Sequence, residues 1–171
     1  MALLTSFAIP HMPGRRPMLW INATACFLFS AYFFTESESA AMFATMIAGT
    51  SSVLQAAIPS RLLGKTLRLR LGIALVMVTI SILVSYHGPA DFLPMAAVVM
   101  ARFSETFGSQ RMIRYGNLFP TVLWIYFAMM QGLYGVAIGD TLLLLSYLIG
   151  VWRDEALRSR QRRILAAAVV P

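Results

Sequence analysis

The chain has 171 residues, 58% of them hydrophobic and 12% charged, with a mean hydropathy of +0.71. A soluble domain carries about a quarter charged residues, so this composition excludes an ordinary water-soluble protein. The formal charge of +7 comes from basic residues spread between apolar runs instead of gathered on one face, which argues against nucleic acid as a partner. The single cysteine, Cys26, excludes an intrachain disulfide and a cysteine-based metal cluster.

In chain order, residues 1–10 are apolar and are followed by His11-Met12-Pro13-Gly14-Arg15-Arg16. A secretory signal carries its positive charge before the apolar run, and here the order is reversed. The run is also about half the ~20 residues of a bilayer crossing. It reads as the tail of a helix whose beginning lies upstream of Met1, which makes an incomplete gene product one of the readings open at this point. Uncharged runs then predict helical spans at residues 18–34, 39–58, 71–86, 92–108, 115–131 and 133–152. Lipid leaves only helices or closed barrels, and these runs are too long and too little alternating for barrel strands. The expected fold is all-α, a polytopic transmembrane helix bundle of about six spans.

The connectors carry turn and capping residues: Thr35-Glu36-Ser37-Glu38, Pro59 to Gly64, His87 to Asp91, Gly108-Ser109-Gln110 and Gly132. Asp91 is expected to cap the fourth span, with Pro94 in its first turn. Arg102 and Glu105 interrupt the second half of that span at a spacing that pairs them on one helix face. Arg102 is expected to snorkel to the interface.

All but one of the 14 Lys and Arg residues fall before span one, between spans two and three, between spans four and five, or after span six. The other connectors hold Glu36, Glu38, His87 and Asp91 but no Lys or Arg. Basic flanks are retained on the cytoplasmic side, so the chain is expected to be multi-pass with both termini cytoplasmic. The basic tail from Arg153 to Arg163 is expected to lie on anionic headgroups.

An internal repeat at an offset of about 95 residues places Arg16 on Arg111, Asn22 on Asn117, Leu28 on Leu123 and Ser51 on Ser146. The charged loop, the two following spans and the short turn between them fall in register. The chain is thereby divided into a first, incomplete helix bundle (1–70), a linker helix (71–90), a second three-helix bundle (91–152) and a basic tail (153–171). A parallel repeat of odd helix number needs such a linker.

This order of features resembles the YgjV-type family of bacterial inner-membrane proteins. The resemblance rests on Arg15-Arg16 before an aromatic-rich helix ending Ala31-Tyr32-Phe33-Phe34, on Leu67-Arg68-Leu69-Arg70, on Asp91-Phe92-Leu93-Pro94 and on Val151-Trp152-Arg153. It implies residence in a bacterial inner membrane. In helix plan that family is similar to the SWEET and PQ-loop transporters, whose two three-helix bundles surround a substrate path. The chain departs from them in lacking any Pro-Gln pair and any asparagine in residues 39–58 or 133–152, so no sugar specificity carries over.

Candidate pathway residues are Asn22, Thr45, Asn117, Trp124, Asp140, Ser146 and Tyr147. Asp140 is the acid well inside an otherwise uncharged span, where an ionisable side chain points to function, such as carrying a proton. The alternative is a helix N-cap or a structural hydrogen bond. Asn22 and Asn117 occupy equivalent positions and either line a path or tie helices together. Thr45, Ser51, Ser52, Ser146 and Tyr147 supply hydroxyls, which membrane helices also spend on their own backbone. Trp124 lies mid-span as packing bulk or as a stacking surface. Pro120 is expected to kink the fifth span. Gly135 and Gly139 form a small-xxx-small pair, which serves packing within the chain or a homodimer. Trp20, Tyr86, Tyr134 and Trp152 lie at span ends, as an interfacial belt expects.

His11 and His87 fall on opposite expected sides of the membrane, and no P-loop or HExxH pattern occurs. Neither an enzyme nor a cofactor or metal site is expected, and the eleven methionines read as adaptable packing. Two functions remain: transport of an unidentified small solute, or a non-transporting role in membrane assembly or regulation.

Overall fold

With almost no charge to place in lipid, each apolar run satisfies its backbone internally. In the computed structural model, which describes residues 1–62, 64–106 and 110–169, every regular element is accordingly a helix. Helix α1 (Ala2–Ala8) continues as a 3₁₀ turn at Ile9–His11, and α2 (Arg15–Thr35) and α3 (Ser39–Ala57) form a hairpin. Next come α4 (Leu67–Ser85), α5 (Phe92–Thr106), α6 (Gln110–Gly116), α7 (Leu118–Met130) and α8 (Tyr134–Val169). Helices α2, α3, α4 and the Tyr134–Leu157 part of α8 are long and apolar enough to cross a membrane.

The first three expected spans fall on α2, α3 and α4. The expected end of the fourth at Gly108, with the connector residue Ser109, lies outside the described residues. The fifth is divided into α6 and α7 at Asn117, although the Asn117 N–H still reaches the Ile113 carbonyl and the Thr121 N–H reaches that of Asn117, both at 3.1 Å. The interruption follows from Pro120, which has no N–H to return to Gly116. The sixth runs past residue 152 to Val169, so the basic segment is a helical continuation. Asp91 is not the cap itself. It closes a 3₁₀ turn begun at Pro89, its carboxylate accepting the backbone N–H groups of His87 at 2.7 Å and Gly88 at 2.9 Å.

Helix α3 is the most buried of the four long helices. Ala40, Ala44, Ala48, Ser52 and Ala56 recur every fourth residue and are all buried, a small-residue stripe that lets neighbouring backbones close in where lipid offers no hydrophobic drive. On α8, a Cβ at Gly139 would lie 2.3 Å from Leu3 Cδ2, so this glycine accommodates α1 within the chain, whereas a Cβ at Gly135 would meet nothing.

The packing closes a ring. Helix α1 touches α2, α2 touches α3, α3 touches α5, α5 touches α7, α7 touches α8, and α8 returns to α1, while α4 lies outside against α3 and α5. The two hairpin turns share one geometry. Ser37 and Gly132 both adopt positive φ, at 62° and 71°. The Glu38 N–H reaches the Phe33 carbonyl at 2.9 Å as that of Leu133 reaches Ala128 at 2.8 Å, and Ser37 to Phe34 is matched by Gly132 to Met129. Each turn is a Schellman cap.

The ring has two chemically distinct ends. At one, the Gln131 side chain donates to the Glu38 carboxylate at 2.9 Å, joining the two hairpin turns. At the other, Arg15 donates to the Gln55 carbonyl at 3.1 Å, Arg114 to the Met12 carbonyl at 3.3 Å, and Tyr115 to the Glu155 carboxylate.

Candidate functional site

The ring encloses a cavity of about 100 Å³ whose wall draws on α1, α2, α3, α5, α7 and α8, with no α4 residue among its described lining. Residues separated by the same offset of about 95 face it in pairs: Asn22 with Asn117, Cys26 with Thr121, Phe29 with Trp124, and Thr45 with Asp140. Both halves of the chain therefore contribute matching positions to one space.

Toward the basic end the wall is a polar network built around one ion pair. Arg102 and Glu105 are 4% and 1% exposed, and Arg102 Nη1 lies 2.5 Å from Glu105 Oε2. The same Nη1 donates to the Ala48 carbonyl at 3.0 Å and contacts Ser52 Oγ. The Asn22 amide donates to both Ser52 Oγ and Glu105 Oε1 at 3.0 Å. Three helices, α2, α3 and α5, are joined through these four side chains. Arg102 therefore does not snorkel: three turns of α5 carry it inward to an acid on its own helix and to a carbonyl on α3, partners that compensate it without reaching headgroups.

Toward the other end the wall is aromatic. Phe33 stacks on Trp124 with ring centroids 5.8 Å apart, Phe29 stacks on Phe33 at 6.1 Å, and Phe127 meets Trp124 edge-on at 5.9 Å. These rings pack with Ala41, Ala128, Val136 and Ala137, the small residues of α3, α7 and α8 making room for the large ones.

Asp140 faces the space beside these rings. It lies roughly two turns into α8, which begins at Tyr134, so it is not an N-cap. It is 7% exposed, and no described residue gives its carboxylate a hydrogen bond. The Thr45 hydroxyl, its counterpart across the cavity, is taken up by the Ala41 and Met42 carbonyls at 2.8 and 3.0 Å. Asn117 donates to Ile113 of its own helix at 2.7 Å, and the buried Tyr147 lines the wall below Asp140. Of the candidates named from sequence, Asn22, Thr45, Asn117, Trp124, Asp140 and Tyr147 line the cavity. Ser146 does not, and its hydroxyl lies 3.1 Å from His11 Nε2. Arg102 was legible as a charge inside a span and as half of an i, i+3 pair, but its place on the wall depends on α3, which sequence spacing does not reveal.

Residues 4–158 match the model of the Imp-YgjV family, described as bacterial inner membrane protein. The chain belongs to that family. Membership agrees with four helices able to cross a bilayer and makes the cavity a feature of an Imp-YgjV membrane protein rather than of a soluble helical bundle. No curated protein and no solved structure matches the chain.

Proposed function

We propose that this Imp-YgjV protein carries a small solute across the bacterial inner membrane through the cavity, as a bundle of six crossings made of two SWEET-like three-helix units joined by α4. The observation that carries this reading is the cavity wall, in which positions related by one offset in the chain face each other across a single space. A site formed where two repeat units meet is what alternating access requires, because one unit can rock against the other around it.

The duplicated Schellman turns support the repeat. So does the ring order: α1 meets α2 and α8 as α5 meets α7 and α3. The division into a basic and an acidic end supports a topology with both termini in the cytoplasm.

Reconstitution into proteoliposomes tests this. A screen across cationic, neutral and anionic solutes of a few carbon atoms is expected to yield at least one that enters faster than into protein-free vesicles. No flux from folded protein in either vesicle orientation would overturn transport and leave a role in assembly or regulation of a membrane complex.

A further inference from the structure

We infer that the cavity takes a small organic cation, an ammonium of a few carbon atoms, bound by Asp140 against the rings of Trp124 and Phe29. This deepens the transport reading and rests on its cavity. Arg102 shares the wall, but Glu105 compensates it at 2.5 Å, and the amide and hydroxyl groups of Asn22, Asn117 and Thr45 are engaged with protein partners. The Asp140 carboxylate is left as the one acid on the described wall, 7% exposed and without a hydrogen bond from a described residue. An isolated buried carboxylate is costly until a counter-charge joins it.

The shape argument is independent. A proton would neutralise Asp140 without using its surroundings, yet the neighbouring wall is aromatic, and ring faces attract an ammonium by their quadrupole while offering little to an anion. At about 100 Å³ the space is somewhat smaller than an apolar cavity of ~150 Å³ that admits benzene, which limits the ligand to roughly four or five heavy atoms.

Cys26, the chain's one cysteine, lines the same wall and serves as the reporter. In intact protein, ethylammonium is expected to slow the reaction of Cys26 with methyl methanethiosulfonate, which forms a methyl disulfide on the thiol and releases methanesulfinate, while propionamide and acetate of similar size do not. Asp140→Asn is expected to weaken this protection at least about tenfold, Asp140→Glu to retain it, and Trp124→Leu to weaken it roughly threefold. Protection by acetate or propionamide equal to that by ethylammonium would overturn the inference in the wild-type protein alone, whatever the variants do. Protection that Asp140→Asn leaves unchanged would also overturn it. Ethylammonium protection without vesicle flux would uphold the cation site and sink transport, whereas flux confined to neutral or anionic solutes, with no cation protection, would do the reverse.

Discussion

The two ends of the cavity treat buried charge in opposite ways. At the basic end, Arg102 and Glu105 neutralise each other, with Asn22 and Ser52 bonded to the pair. At the other end, Asp140 shares the wall with Phe33 and Trp124 and has no hydrogen bond from a described residue. A charge-compensated pair bonded across α2, α3 and α5 holds three helices together, because separating them exposes a charge to an apolar interior. An unsatisfied group fixes nothing and is free to meet something that arrives. The first arrangement is architecture and the second is a site.

Substitutions break or sharpen that contrast. The largest effect belongs to Glu105→Ala, which strands the buried Arg102 guanidinium and is expected to cost about 3–5 kcal/mol of stability in thermal melts of detergent-solubilised protein. The double variant Arg102→Met with Glu105→Leu is expected to recover most of that loss, since a well-packed apolar pair is often as stable as a buried ion pair. A double variant as unstable as the single one would show that the network acts through more than its charges.

Next is Gly116→Val. A Cβ there would lie 2.0 Å from Ser104 Cβ, which is fixed to the α5 backbone, so α5 and α6 are forced apart at about 1–3 kcal/mol, read from the same melts. Asn22→Ala removes two bonds between helices and is expected to cost about 1 kcal/mol, whereas Asn117→Ala removes one bond within its own helix and should cost less than about half that. Equal losses would mean that the two positions do equivalent work in spite of their different partners.

Ser37→Gly relieves a positive φ at the position where the second hairpin already has Gly132. It is expected to stabilise by about 1 kcal/mol. The smallest effect is predicted for Asp140→Asn. With no partner to strand, it should leave the melting temperature unchanged or slightly raised, within about 0.5 kcal/mol, even as cation protection of Cys26 is lost. A marked destabilisation would make Asp140 part of the architecture after all.

Much of this molecule could be read from its residues. The apolar runs locate α2, α3 and α4 within a few residues, because in lipid the helix is the one local structure that leaves no backbone group unpaired. The offset joining Asn22 to Asn117 also joins Ser37 to Gly132, a backbone match that side-chain identity does not display, since serine and glycine share no pattern. Boundaries were less legible where competing signals met. Pro120, four residues after Gly116, divides the fifth run at Asn117, and the last helix runs on through its arginines because nothing in Arg153 to Val169 breaks it.

What the sequence determined by itself was an all-helical membrane protein with no arginine or lysine in the turns at Glu36 to Glu38 and His87 to Asp91, since hydropathy and charge act residue by residue against lipid and water. Only the tertiary structure decided which polar side chains are spent and which are left over. Arg102 was turned inward because α3 presents a carbonyl and Ser52 at the right height, and Asp140 was left without a hydrogen bond because the Thr45 hydroxyl across the cavity is spent on its own helix. Partnership of this kind depends on distances between helices far apart in the chain, and those are set by the packing of the whole ring.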